Sequence, residues 1–499
     1  MIRLAHFVAR VALATLLLPL AALAAADPSP TSCRLPGVEH DALCGSVSRL
    51  LDPTRPDGTR IDVHYAVLPA LARNKQPDPV FFFAGGPGQS AIALAGPMSR
   101  LFSRLGNRRD LVLIDQRGTG RSAPLVCDAQ DPAMPLRQLL DPTAMRERMA
   151  HCRDTLQAKP WGDLRQFTTT IAMADADAVR QALGAAQVDA IGGSYGTRAV
   201  LEYLRQFPQQ VRRAVIDGVA PPDMVLPATI AVDAQAALDT LFTACAAEPA
   251  CQQRYPDLQT RWRRLLASLP REVTVLHPVT GEPERLTLTA EMAASLLRGP
   301  LYAPALASAL PLAIAQAADG RFEALLGLGS ALGGGRREMQ LAEGMHFSVI
   351  CAEDMPRLAR THELPAPDLG DGFADVYRDV CADWPRGDVP AAFYTLPTSP
   401  APVLVLSGGL DPVTPPRHGA RVAQALGAKA RHVVVPNAGH GVMALGCMRD
   451  VLFRFVDAGT DPEALAVDTA CVESIPRPPA FQPVRPKADP ASQTRGSGS

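Results

Sequence analysis

The chain lacks any block of like charge. Its 49 basic and 50 acidic residues leave a formal net charge of -1, and neither sign forms a long run. That balance argues against a nucleic-acid partner and against an acidic polymer as substrate. Metal-ligand spacing is also missing. There is no His-Glu-x-x-His, no Cys-x-x-Cys and no pair of histidines on one helical face, so zinc chemistry is not expected. The glycine-spaced stretch Gln116-Arg117-Gly118-Thr119-Gly120-Arg121-Ser122 has no Gly-Lys-Ser/Thr, and no dinucleotide fingerprint follows it. It reads as a structural loop in which Asp115 and Arg117 pin neighbouring backbone, rather than as a phosphate cradle. Beyond the first 26 residues no stretch reaches roughly 18 unbroken apolar residues, so no membrane anchor is expected.

What is present begins with a leader. Met1 to Ala26 carries Arg3 and Arg10, an apolar run from Val11 to Leu23, and the small-residue triplets Ala22-Leu23-Ala24 and Ala24-Ala25-Ala26. Residues 1–26 therefore read as a secretory signal peptide, and the protein as secreted or periplasmic. Cys33 follows Pro30-Thr31-Ser32 rather than a lipobox-like triplet. All ten cysteines lie beyond the leader, and an even number in an exported chain suggests disulfides. Sequential pairing of Cys33, Cys44, Cys127, Cys152, Cys245, Cys251, Cys351, Cys381, Cys447 and Cys471 is the simplest arrangement, with free buried thiols as the alternative.

The most informative stretch is Gly192-Gly193-Ser194-Tyr195-Gly196. It follows the apolar run Val188-Asp189-Ala190-Ile191 and precedes Thr197 to Leu204, which has helical character. Strand, Gly-x-Ser-x-Gly, helix is the pattern of a nucleophile elbow, with the serine hydroxyl at the sheet edge facing a helix N-terminus. Two later segments supply partners. Val403 to Ser407 reads as a buried parallel strand that runs into Gly408-Gly409-Leu410-Asp411-Pro412-Val413-Thr414-Pro415. His432 to Pro436 reads as another strand, followed by Asn437-Ala438-Gly439-His440-Gly441. Ser194, Asp411 and His440 each lie past the C-terminal end of a strand, in the Ser, Asp, His order of α/β-hydrolases. Other histidines fit less well: His418 and His432 read as packing or surface residues, His346 and His362 fall in a middle region, and His6 is in the leader.

An acyl-transfer site also needs backbone donors for an oxyanion. Pro79 to Ala84 reads as a strand followed by Gly85-Gly86-Pro87-Gly88-Gln89-Ser90, and glycines let backbone approach a substrate closely. The expected donors are the N–H groups of Gly86 and Tyr195. Leu111 to Asp115 adds a further strand.

Taken together, Gly85-Gly86-Pro87-Gly88, Asp115 to Ser122, Gly192 to Thr197, Gly408 to Pro415 and Gly439-His440-Gly441 resemble the secreted prolyl and tripeptidyl aminopeptidases of the α/β-hydrolase fold. Cys44-Gly45-Ser46-Val47 with Leu51-Asp52-Pro53 is similar to the opening of the tripeptidyl branch, and the likeness runs from about residue 44 to 475. The resemblance implies a serine exopeptidase that removes one or a few residues from peptide N-termini without a cofactor. Ala84 departs from the histidine that prolyl iminopeptidases usually carry before Gly-Gly-Pro-Gly. A carboxylesterase or lipase would use the same motifs, and a non-catalytic binding protein on this fold is the third reading.

Ser194 and Asp411 must meet in one site, so the stretch between them has to leave the core and return. The expected organisation is a hydrolase core in residues 27–219 and 396–475, an inserted, mainly helical cap in 220–395, and a disordered Pro/Ser/Gly-rich tail in 476–499. Within the cap, Ile230 to Ala247, Leu258 to Leu269, Ala290 to Leu297 and Ala303 to Ala318 read as helices. Val273-Thr274-Val275 and Arg285 to Leu288 flank Gly281 as a small hairpin. The cap segment Phe347 to Pro356 contains Glu353 and Asp354. The resemblance to prolyl aminopeptidases, whose cap glutamates bind the substrate α-ammonium, makes these two the candidates for that role; an acidic pair that caps a helix or faces solvent is the other reading.

Overall fold

A computed structural model describes residues 29–331, 340–358, 366–370 and 372–483. The expected signal peptide, His362 and residues 484–499 lie outside the described residues. Among the described residues eleven strands run in chain order: β1 (Thr31–Cys33), β2 (Ala42–Leu50), β3 (Arg60–Leu68), β4 (Val80–Phe83), β5 (Leu111–Ile114), β6 (Val188–Gly193), β7 (Val211–Asp217), β8 (Arg271–Leu276), β9 (Pro283–Leu288), β10 (Val403–Gly408) and β11 (Ala430–Val435). Nine of them form one sheet in the order β1-β2-β3-β5-β4-β6-β7-β10-β11, and β8 and β9 form a separate hairpin.

The sheet is parallel from β5 through β11 and antiparallel at its β1-β2-β3 end. Composition explains the difference. Val80–Phe83, Leu111–Ile114 and Val403–Gly408 are buried at every residue, as strands covered on both faces must be. β2, with Ser46, Ser48 and Arg49, is only partly covered along most of its length. The helix after β6, Tyr195–Gln206, has all its first ten residues buried and lies against β6, β7 and β4.

Five helices matter for the site: α1 (Thr169–Ala182), α2 (Tyr195–Gln206), α3 (Leu226–Ala247), α4 (Ala290–Leu301) and α5 (Glu343–Glu353). Between β7 and β10, which pair in parallel, the chain leaves the sheet for α3, α4, α5, the β8-β9 hairpin and further short helices. The helices expected at Leu258 and Ala290 form, whereas the stretch from Ala303 breaks into Pro304–Ala307 and Leu310–Ala318. α3 is long and apolar enough to cross a membrane by length and composition, yet Leu238, Leu241, Phe242 and Cys245 are buried with Trp262, Leu297 and Leu325 in a core of their own.

The inserted stretch is therefore not uniform. Its first part packs on that separate core, to which Leu136 from before Ser194 also belongs. Phe347, Val349, Tyr377 and Trp384 instead join the core beneath the sheet. All ten cysteines are bonded in the sequential pairs Cys33–Cys44, Cys127–Cys152, Cys245–Cys251, Cys351–Cys381 and Cys447–Cys471. The disordered tail expected from Pro476 onward does not begin there. Phe481 donates its N–H to Ser308 O at 2.8 Å, and Tyr255 donates its hydroxyl to Phe481 O at 2.6 Å, so apolar and backbone contacts order the chain at least to Pro483.

Candidate active site

The elbow owes its shape to contacts that only glycine permits. A Cβ on Gly192 would lie 2.2 Å from Gly196 O, and one on Gly196 would lie 2.1 Å from Phe83 O. Gly193, by contrast, would meet only Met443 Cε at 3.8 Å. Two of the three glycines are thus fixed by close backbone approach at the C-terminal ends of β4 and β6. Ser194 takes up the strain, with φ 56° and ψ -126° at the N-cap of α2, a conformation that persists only when its surroundings impose it. Its N–H donates to Asp217 O at 2.8 Å, and its carbonyl accepts from Thr197 N–H and hydroxyl at 2.8 and 2.6 Å.

Asp411 and His440 lie on the loops after β10 and β11, as their positions in sequence require. His440 Nδ1 donates to Asp411 Oδ2 at 2.8 Å. Asp411 Oδ1 accepts from the N–H groups of Val413 and Thr414 at 2.9 and 2.8 Å, and Oδ2 from the Thr414 hydroxyl at 2.8 Å. Burial pushes the Asp411 carboxyl up, but His440 and these amides outweigh it and hold it below its ordinary value. His440 shows the complementary balance: burial disfavours its cation, yet Asp411 and, more weakly, Asp217 raise its pKa above the usual value. The proton on Nδ1 leaves Nε2 as the basic nitrogen.

Asp217, at the end of β7, ties these loops to the elbow. Its carbonyl holds Ser194 N–H, and its Oδ2 accepts from Val442 and Met443 N–H at 2.7 and 2.8 Å, just beyond His440. Burial raises the Asp217 carboxyl to about 6, against the pull of those two amides. His440 N–H donates to Tyr302 O at 2.9 Å, and the two rings meet edge-on with centroids 5.2 Å apart. Among the described residues no hydrogen bond joins the Ser194 hydroxyl to His440. In serine hydrolases that bond commonly tightens only around substrate.

The Gly85–Gln89 loop lies against the elbow: a Cβ on Gly85 would come within 3.2 Å of Ser194 Cβ. Gly86 has φ +113°, which side chains disfavour. Tyr195 is the first residue of α2, so its N–H has no intrahelical acceptor. The loop is held from two sides. Asp115 Oδ1 accepts from the Ser90 hydroxyl at 2.6 Å and Ile92 N–H at 3.1 Å, while Ala342 N–H donates to Gly88 O at 2.9 Å. Arg117 makes a two-pronged ion pair with Asp175 and bonds to Leu50, Leu51 and Gln166 carbonyls, the structural role expected of that loop.

Glu353 and Asp354 are placed otherwise than an amine-binding role requires. They are 1% and 0% exposed. Glu353 Oε1 accepts from Thr169 N–H at 2.7 Å, and Oε2 from the Thr169 hydroxyl at 3.0 Å and Arg198 at 3.3 Å. Asp354 receives Arg198 at 2.8 and 3.2 Å and Leu226 N–H at 2.8 Å. Every carboxylate oxygen already has a donor and both side chains are closed off from solvent, so the structure presents neither to a substrate ammonium. The local sequence gave no sign of this, because Arg198 lies 155 residues from Glu353.

Three of the other histidines are occupied elsewhere. His418 Nε2 bonds to Asp233, His432 Nε2 to Ser407, and His346 lies between Pro87 O and the Tyr377 hydroxyl. Asp217, Thr414 and Tyr302 were not anticipated. The signal for Asp217 was a carboxylate followed by Gly218 at the end of the apolar run Ala214-Val215-Ile216. Tyr302 had no comparable signal.

A family model described as alpha/beta hydrolase fold matches residues 78–304, and one described as TAP-like protein matches residues 366–471. With the sheet order and the elbow, these matches define the class: the chain is a serine hydrolase of the α/β-hydrolase fold. Within that class it is similar to the serine protease Hip1 of Mycobacterium tuberculosis, 25% identical over 469 residues and covering 86% of this chain and 87% of that protein. It is also similar to the tripeptidyl aminopeptidase of Streptomyces coelicolor, 30% identical over 190 residues, 36% of this chain and 35% of the other. A third relative, carboxylesterase B of Mycobacterium tuberculosis, is 29% identical over 424 residues and covers 78% of each chain.

Proposed function

We propose that this protein is an exported serine exopeptidase that releases one or a few residues from peptide N-termini through an acyl-enzyme on Ser194. The observation that carries the reading is the Asp411–His440 pair, stitched by Asp217 to a strained serine at a helix N-terminus. Similarity to a serine protease along most of the chain supports a peptide substrate. The five disulfides fit an oxidising compartment, and residues 1–26 would be the cleaved leader.

In this reading His440, oriented by Asp411, takes the Ser194 proton as the serine attacks the scissile carbonyl. The N–H groups of Gly86 and Tyr195 hold the developing oxyanion. The imidazolium then protonates the departing amine, and neutral His440 activates the water that releases the acyl group. The inserted segment between β7 and β10, with Tyr302 against His440, would restrict access to short chain ends.

A panel of aminoacyl and tripeptidyl arylamides, free and N-acetylated, run beside short acyl esters, tests the assignment. Turnover of free-amine arylamides with loss on acetylation is the expected result. Ester turnover with no arylamide turnover would overturn it in favour of an esterase, the activity named for one relative.

A further inference from the structure

Thr169, Arg198, Glu353 and Asp354 take no part in the proton and acyl transfers above, yet they form a fully buried polar cluster beside the elbow, none more than 2% exposed. Glu353, at the end of α5, takes both the N–H and the hydroxyl proton of Thr169, the first residue of α1. Because that hydroxyl proton is committed to the carboxylate, the hydrogen bond of 2.7 Å between Thr169 Oγ1 and the Tyr195 hydroxyl is donated by the tyrosine. A longer contact of 3.4 Å reaches Gln116. One turn along α2, Arg198 binds Glu353 and Asp354. The first turn of α2 is thus tied to Glu353 at two points, at Tyr195 through Thr169 and at Arg198 directly, with Asp354 holding Arg198 as well.

We infer that Glu353 is a positioning residue which, through Thr169 and Arg198, fixes the first turn of α2 and so aims the Tyr195 N–H. The inference rests on the proposed role of that N–H as an oxyanion donor. Ordinary helix bonding does not supply this constraint: the leading amides of a helix lack acceptors and its end frays. Ser194, immediately before, holds an unfavourable backbone conformation that has to be imposed from outside. A donor that drifts loses much of its value, since preorganisation is what makes an oxyanion hole effective.

The cluster also has an acid-base consequence. The groups facing Glu353 are Arg198 and the Tyr195 hydroxyl from α2, Thr169 from α1, its own neighbour Asp354, and Tyr394, whose hydroxyl donates to Glu353 O at 2.9 Å. Burial raises the Glu353 carboxyl to about 7, against the stabilising pull of Arg198 and Thr169. Protonation removes its charge from Arg198 and weakens its grip on Thr169. Acidification should therefore cost activity at Glu353 as well as at His440, and kcat/KM should fall with pH more steeply than one ionisation permits.

Steady-state kinetics and thermal melting of the full chain carrying Thr169→Val, Thr169→Ser, Tyr195→Phe or Glu353→Gln test this. Deleting an oxyanion donor outright costs roughly 100- to 1,000-fold in kcat, so a loosened one should cost about 10-fold. Thr169→Val and Tyr195→Phe should each lower kcat by that factor with KM unchanged, and Thr169→Ser should restore it. Glu353→Gln should leave an acid limb with one ionisation fewer. Unchanged kcat in Tyr195→Phe and Thr169→Val, with only a lower melting temperature, would overturn the inference, as would an unaltered acid limb in Glu353→Gln. If Glu353→Gln does not fold, the kcat and KM of Tyr195→Phe decide. Failure of the underlying reading looks different: Ser194→Ala would then retain activity whatever these variants do.

Discussion

Gly196→Ala and Gly193→Ala differ by three positions in one motif, yet the structure predicts opposite outcomes. A Cβ at Gly196 would sit 2.1 Å from Phe83 O, 2.8 Å from its carbonyl carbon and 3.0 Å from Ala84 O. All of these are backbone atoms at the end of β4 and have no rotamer with which to yield. The gap between α2 and β4 must open by about 1 Å, and a misplacement of that size at a reacting group costs on the order of 100-fold in rate. Stability responds less. Overpacking costs about 1–3 kcal/mol, and alanine recovers roughly 0.5–1 kcal/mol of helical preference over glycine, so the net loss should leave the protein folded at 25 °C. At Gly193 the added methyl meets only Met443 Cε at 3.8 Å, and kcat/KM should stay within about threefold of wild type. The assay is kcat/KM on a tripeptidyl p-nitroanilide with a melting curve for each variant. More than half of wild-type activity in Gly196→Ala, or equal losses in both variants, would refute the packing argument.

Other expectations follow from the same geometry. His440 must be neutral to act as base, and Asp411 raises its pKa above the ordinary 6.5, so kcat/KM should be past half its plateau loss by pH 6.5. Asp411→Asn should move that limb to lower pH and reduce kcat on the order of 10⁴-fold, the loss seen at a comparable triad. Asp217→Asn removes a second raising influence on His440 and should shift the limb in the same direction by less, read from a pH profile. Replacing Cys351 and Cys381 by serine opens a loop of 30 residues. That should cost about 3–4 kcal/mol by chain entropy, measured by urea unfolding.

Much of the parallel part of the sheet was legible because β4, β5, β6 and β10 are short runs rich in apolar residues, whereas β7, interrupted by Arg212 and Arg213, was not anticipated. Val403 to Ser407 differs from β10 by one residue, and Val188 to Ile191 from β6 by two. Ser194, Asp411 and His440 could be named as candidates because strand ends are readable and each of the three lies just past one. β1, β2 and β3 carried weaker signals. Serine, arginine and histidine interrupt β2 and β3, and at the antiparallel end one face of the sheet is less covered.

What sequence could not supply was pairing across long separations. An acidic pair in a cap segment looks like an amine site until Arg198 and Thr169 are found filling its oxygens. The order of residues 476–483 was hidden for a similar reason. Proline and alanine there suggest a loose tail, but backbone bonds to Ser308 and Tyr255 hold it.

The account depends most on Ser194 being the residue that forms the acyl-enzyme. Intact-mass and peptide mapping after incubation with a fluorophosphonate tests that directly. The prediction is one adduct, confined to the peptide containing Ser194, absent in Ser194→Ala and accompanied by loss of arylamide turnover in that variant. An adduct on another residue, or a Ser194→Ala enzyme that is still labelled and active, would contradict it.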